Sequence, residues 1–157
     1  MSIEQVKTYL RQFGREQDIM EFETSSATVE LAAQAVGVEP ARIAKTLSFR
    51  LPEGCVLVVA AGDARIDNRK FKDQFQCKAK MLSPDEVVAF TGHQIGGVCP
   101  FAIENDAVRV YLDRSLERFD TVFPACGSSN SAIEFTCADL YTCAKALGWV
   151  DVCKLPE

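Results

Sequence analysis

Seven apolar residues in a row, Cys55 to Ala61, constrain this chain more than any other stretch. The run is too short to cross a bilayer, which takes about 20 residues, and it has no polar face to give to water. It therefore predicts a central strand buried on both sides of a sheet. Just before it, Ile43 to Leu51 alternates apolar and polar side chains, the period-two signature of a strand. Pro52-Glu53-Gly54 joins the two and is a turn signal, so the pair is expected to form an antiparallel hairpin.

The other segments alternate between helical and extended patterns. Ser2 and Gln5 read as a capping box for a helix with Ile3, Val6, Leu10 and Phe13 on one face, stopped by Gly14. Ile19 to Phe22 reads as a short strand. A second helix opens near Ser26 or Thr28, shows Val29, Ala32, Ala33 and Val36 on one face, and ends at Gly37. Asp67 caps a short helix bearing Phe71 and Phe75. Ser83-Pro84-Asp85-Glu86 supplies the cap, first-turn proline and capping-box glutamate of another, which ends near Thr91-Gly92. Val108 to Leu112, Thr121 to Ala125 and Ala132 to Thr136 read as strands, and a last helix runs from about Cys137 to Leu147 with Gly148 as its stop. Short, hairpin-linked strands among helices predict an α+β fold with a mainly antiparallel, barrel-like sheet. No repeat or linker-like tract breaks the 157 residues, so a single domain over 1–157 is expected.

Charge and composition exclude several functions. The net charge of -5 is not that of a nonspecific duplex-DNA binder, so no DNA partner is expected. The polar start, Met1 to Gln5, lacks the basic-then-apolar order of a signal peptide. With no spanning segment either, the expectation is a cytoplasmic chain without a membrane partner. The single histidine, His93, rules out a His-rich zinc site, and any Ser-His-Asp or Cys-His mechanism would have to run through it. Seven cysteines without a Cys-x-x-Cys pair read as small buried hydrophobes in a reducing compartment.

Four places carry candidate chemistry. Lys45 shares a strand face with Ile43, Leu47, Phe49 and Leu51, which turns an ammonium inward. Such a lysine either lines a pocket and meets negative charge, or packs its stem while its head reaches water. Gly96-Gly97-Val98-Cys99-Pro100 can present bare backbone to a ligand, or be an ordinary loop. Gly127-Ser128-Ser129-Asn130-Ser131 gathers small hydrogen-bonding groups able to hold a ribose, an ester carbonyl or an amino group, and equally fits a solvated turn. Arg65 to Lys80 carries six basic residues (Arg65, Arg69, Lys70, Lys72, Lys78, Lys80) against Asp67 and Asp73, either a phosphate-backbone contact or a solvated helix face. Nothing in the sequence joins Cys99 to His93 as a nucleophile pair, and a zinc site from Cys99, Cys126 and His93 lacks the usual ligand pairing.

Ala44-Lys45-Thr46-Leu47, then Thr91-Gly92 ahead of Gly96 to Phe101, then Val110-Tyr111-Leu112-Asp113, then Gly127 to Ile133, together resemble the YbaK/ProX family of aminoacyl-tRNA deacylases. That family is related to the editing insertion domain of bacterial prolyl-tRNA synthetases, and the resemblance spans roughly residues 20–148. It implies a curved, mixed, mostly antiparallel sheet wrapped by helices, and hydrolysis of the ester joining a wrong amino acid to the 3′ end of tRNA. It implies Lys45 as the key active-site residue, Gly96, Gly97 and Pro100 as one binding loop, and Gly127, Ser128 and Asn130 as another. No metal or organic cofactor is implied. The expected partners are a misacylated tRNA, resembling Cys-tRNA(Pro) or Ala-tRNA(Pro), and an aminoacyl-tRNA synthetase, with the chain a monomer or weak homodimer. Arg65, Arg69, Lys70 and Lys80 are the tRNA contacts expected from charge. Two other readings stand beside this one: a tRNA- or aminoacyl-adenosine-binding module without turnover, and a thiol-dependent hydrolase that alkylation would abolish.

Overall fold

Two sequence patterns of unequal polarity build the centre of the molecule. In a computed structural model that describes residues 2–156, strand β2 (Ile43–Leu51) and strand β3 (Gly54–Ala61) pair antiparallel, from Ala44 opposite Ala61 to Leu51 opposite Gly54. Met1 and Glu157 lie outside the described residues. Cys55 to Ala61 are wholly buried, as an apolar run without a polar face requires. The hairpin turn needs glycine at 54, where φ is 145° and a Cβ would sit 2.2 Å from the Ala107 carbonyl oxygen.

The rest of the chain wraps this hairpin. Helix α1 (Ser2–Arg11), strand β1 (Met20–Glu21), helix α2 (Val29–Val36), strand β4 (Arg65–Ile66), helix α3 (Asn68–Phe75) and helix α4 (Pro84–Thr91) precede or follow it. Strands β5 (Val108–Asp113), β6 (Thr121–Pro124), β7 (Ser131–Ala132) and β8 (Phe135–Thr136), helix α5 (Cys137–Cys143), and strands β9 (Trp149–Val150) and β10 (Cys153–Lys154) complete it. The main sheet runs β8-β6-β2-β3-β5-β9, and two ribbons, β1-β7 and β10-β4, close its flanks. Over the main sheet and the two ribbons four of the seven pairings are antiparallel and three parallel, and within the main sheet two are antiparallel and three parallel, the mixed sheet expected of the fold. Phe71, Phe101, Phe135, Leu57, Leu112 and Leu140 are among the largest fully buried side chains of the core. No described helix is long and apolar enough to cross a membrane.

Helix starts follow their caps. Thr28, Asp67 and Ser83 accept from backbone amides of α2, α3 and α4, and Ser83 with Glu86 forms the full capping box. Three expectations are corrected. The Ser2 hydroxyl is bonded to His93 Nδ1 rather than boxed with Gln5. Ala132 to Thr136 is not one strand: β7 pairs with β1 while β8 pairs with β6, because the chain changes partner between them. The last helix ends at Cys143, not Leu147. Lys145 takes a left-handed φ of 51°, and the Leu147 amide leaves to bond the Val110 carbonyl at 2.8 Å, which starts the β5-β9 pairing. Leu147, placed by periodicity on the buried face, is 60% exposed as a result.

Candidate active site

Strand period turns Lys45 inward, and the end of β3 decides where its head goes. The side chain is half-buried, and Nζ donates to the carbonyls of Gly62 at 3.2 Å and Ala64 at 2.5 Å. Gly62 allows this close turn, since a Cβ there would lie 2.0 Å from the Pro40 carbonyl oxygen. Burial pushes the Lys45 pKa down, outweighing the upward pull of charges nearby, among them Asp63 and Glu30. The head is therefore neither free in water nor paired with a carboxylate. An ammonium carries three N–H donors, so one remains for a ligand.

Lys45 lines two recesses. One is a cavity of about 220 Å³ floored by β2 residues Ala44, Thr46 and Ser48, with Ala27 and Val29 at the start of α2 and Gly96 on its rim. It is smaller than the roughly 300–1,000 Å³ of pockets for drug-sized ligands, a size for a compact group such as one amino acid. The other is a broad groove of 820 Å³ on the side of Arg65 and Lys154. Thr46 Oγ1 is buried and is the one buried side-chain oxygen or nitrogen without a hydrogen-bond partner among the described residues.

The two glycine loops meet backbone to backbone. A Cβ on Gly97 would lie 2.7 Å from Ser128 N and 2.8 Å from the Gly127 carbonyl carbon. Gly127, at a φ of 91°, is pressed in turn against the Ser2 carbonyl oxygen, 2.9 Å from where its Cβ would be. Of the loop residues expected at the site, Gly96 is on the cavity wall. Gly97, Pro100, Gly127, Ser128 and Asn130 are not in its lining. Asn130 Nδ2 donates to the Phe22 carbonyl at 2.9 Å, while its Oδ1 accepts from the Ser128 hydroxyl at 3.0 Å. Ser129 O accepts from Ser26 N at 2.6 Å, so this loop zips residues 22–26 into place beside the cavity. Ser131 on the wall belongs to the loop expected there and Ser26 was read only as a helix start, whereas Thr46 and Ser48 went unsuspected as wall hydroxyls, because single hydroxyls in an apolar strand leave no pattern of their own.

The basic candidates divide. Arg65, Arg69 and Lys80 are exposed without a carboxylate partner among the described residues, whereas Lys70 is held by Asp151 at 3.1 Å and the Cys153 carbonyl at 3.0 Å. Cys99 and His93, unconnected in sequence, lie together with Sγ 3.5 Å from Nε2. Both are fully buried, and burial pushes the Cys99 thiol up to about 12. That keeps it a protonated core thiol away from any ligand, contrary to what a nucleophile needs. No cluster of three or more His, Cys, Asp or Glu side chains suited to a metal occurs among the described residues.

The site is thus a half-buried lysine on the wall of a small cavity, beside two interlocked glycine loops in a mixed sheet. The profile of the aminoacyl-tRNA editing domain matches residues 23–143, and the chain belongs to that family. It is 58% identical over 156 residues to the uncharacterized protein YwhH of Bacillus subtilis, covering 98% of both chains. It is also 32% identical over 91 residues to the proline–tRNA ligase of Thermosipho melanesiensis, of whose length it covers 16%. A solved structure provisionally described as a trans-editing enzyme for prolyl tRNA synthetase superposes with a TM-score of 0.87 at 29% identity, over 98% of this chain and 97% of the other. The YbaK-type fold expected from the sequence is the fold found.

Proposed function

We propose that this chain is a hydrolase that removes a wrong amino acid from the 3′ end of tRNA in trans, on a substrate resembling Cys-tRNA(Pro) or Ala-tRNA(Pro). The observation that carries the reading is the position of Lys45: it lines both a cavity sized for an amino acid and the groove beside it, where two carbonyls fix its head and leave one donor. An aminoacyl ester is already activated, so water, or a neighbouring hydroxyl of the substrate, can attack its carbonyl. The protein's task is to orient that ester and to stabilise the oxyanion as it forms. Lys45 supplies the charge, as the expected catalytic residue. The Gly96 backbone and the loops of Gly97, Pro100, Gly127, Ser128 and Asn130 set the cavity's shape. The walls of Ile43, Ala44, Val98 and Phe123 leave room for a small side chain and exclude larger ones, which is selection by size. Neither a protein nucleophile nor a metal enters the scheme.

The test is a deacylation assay on a panel that includes Cys-tRNA(Pro), Ala-tRNA(Pro) and correctly charged tRNAs, with wild type and Lys45→Ala. Hydrolysis of one or a few misacylated species is expected, reduced at least about 100-fold in the variant, the scale of losing one oxyanion-stabilising donor. Folding of the variant is checked by its melting curve. A folded wild type that hydrolyses nothing in the panel but binds tRNA would replace this reading with that of a binding module.

A further inference from the structure

Eight of the chain's 17 lysines and arginines are held by nearby carboxylates. Lys7, Arg11, Arg15, Arg42, Arg50, Lys70, Arg114 and Arg118 are all in ion pairs. Arg65, Arg69, Lys72, Lys78, Lys80 and Lys154 are not, among the described residues, and all six are exposed on β4, α3, the segment after it, and β10. An acidic chain thus carries a cluster of six cations here that no carboxylate among the described residues engages.

Two of these cations are placed against each other. In the β4-β10 ribbon Arg65 stands directly opposite Lys154. Cross-strand partners have Cβ atoms about 4.5–5.5 Å apart on one face, and like charges there are destabilising. The ribbon is nonetheless held firmly: Asp67 N donates to the Val152 carbonyl at 2.8 Å, and Lys70 Nζ to the Cys153 carbonyl at 3.0 Å. Arg65 and Lys154 line the 820 Å³ groove whose wall includes Lys45. Its two carboxylates are Glu30 and Asp63, and Asp63 is already engaged by Arg118 through both oxygens, at 2.6 and 3.1 Å. Arg65 also directly follows Ala64, whose carbonyl holds Lys45. A repulsive pair kept in fixed geometry beside the candidate active site is relieved by an anion, and arginine's planar fork suits a phosphate.

We propose that Arg65 and Lys154 form a phosphate seat for the single-stranded 3′ end of an RNA, beside the Lys45 cavity. From this seat, Arg69, Lys72 and Lys78, which line the next recess along α3, carry the following phosphates. The proposal rests on the editing reading, and it adds where the RNA backbone enters.

The test measures binding of 5′-labelled deacylated tRNA by fluorescence anisotropy between 50 and 200 mM salt. Wild type is compared with Arg65→Gln/Lys154→Gln and with Arg109→Gln, which removes an exposed cation near the turn end of the hairpin. Loss of two single-strand phosphate contacts should make the slope of log K against log salt shallower by about 1.4. It should also weaken binding at low salt about tenfold or more, and Arg109→Gln should change neither. The melting temperature of the double variant without RNA should equal or exceed that of wild type, since a repulsion is removed. An unchanged slope overturns the proposal, and so does a lowered melting temperature, which would assign the pair a structural role. Saturable stabilisation of wild type by millimolar inorganic phosphate, with an unchanged RNA slope, would make this a free-anion site and overturn it too. Binding that shows the altered slope in a protein that hydrolyses no ester would leave the seat and remove the editing reading. Hydrolysis with an indifferent slope would do the reverse.

Discussion

At the scale of single residues, Lys45 and Thr46 are neighbours on one strand with opposite polar arrangements. Lys45 has its head satisfied twice, whereas the Thr46 hydroxyl is buried and satisfied by nothing. A buried hydroxyl without a partner costs about 1–3 kcal/mol. Thr46→Val keeps the shape and the strand preference, so the variant should be more stable by about 1 kcal/mol, read from the urea midpoint. Thr46 also lines the cavity, so an ester substrate held there is the partner its hydroxyl lacks. Deacylation by Thr46→Val should then fall about tenfold, the value of one hydrogen bond in the transition state. Reduced stability, or unaltered turnover, would deny Thr46 this role. Lys45 was legible from sequence because a charge interrupting an apolar strand face is conspicuous. Thr46 was not, since a threonine in a strand is unremarkable until its partners are counted.

At the scale of elements, legibility tracked length and flanking chemistry. The nine-residue β2 was read to its ends, because alternation over that length and a turn signal agree. Thr28, Asp67 and Ser83 marked helix starts through a mechanism, the side-chain cap, rather than through propensity. The two-residue strands β4, β9 and β10 gave no signal, since no period fits in two residues and their pairing is set by distant partners. The two glycine loops were each readable as loops, but their mutual contact was not. That contact makes a sharp prediction. Gly97→Ala drives a Cβ into the Gly127–Ser128 backbone at under 3 Å, which no rotamer change relieves. It should cost about 1–3 kcal/mol of stability, as overpacking does, and should reduce deacylation by displacing Gly96. A Gly97→Ala protein with the wild-type denaturation midpoint would show that the loops are not in contact in solution.

At the scale of the whole molecule, the parts far apart in sequence are joined through the single histidine. His93 is fully buried, its Nε2 2.7 Å from the Phe101 carbonyl and its Nδ1 against the Ser2 hydroxyl. A carbonyl only accepts, so Nε2 carries the proton and the neutral ring accepts from Ser2 through Nδ1. One side chain thereby ties the start of α1, which braces Gly127, to the loop that carries Gly96 and Gly97. Burial lowers the His93 pKa from its ordinary 6.5, an effect the Phe101 carbonyl opposes. In the window below 6.5 the unfolded chain therefore binds a proton that the folded chain does not. The stability from the neutral ring is fully present above pH 6.5 and is lost as pH falls through the folded pKa, at up to about 1.4 kcal/mol per pH unit. His93 is the one histidine of the chain, so it is the one side chain whose ordinary pKa falls within the interval from pH 7.5 to 5.5. Urea midpoints of wild type should fall across that interval. His93→Gln should begin lower at pH 7.5, because its amide cannot make both bonds in the ring's geometry, and then stay nearly flat. If the variant keeps the wild-type slope, the proton is taken up elsewhere, and His93 does not link the two loops to the amino-terminal helix in the way its bonds indicate. If the slope disappears with the ring, deacylation by the folded protein should persist across that interval, since burial keeps His93 neutral and the bonds from Ser2 and to Phe101 in place.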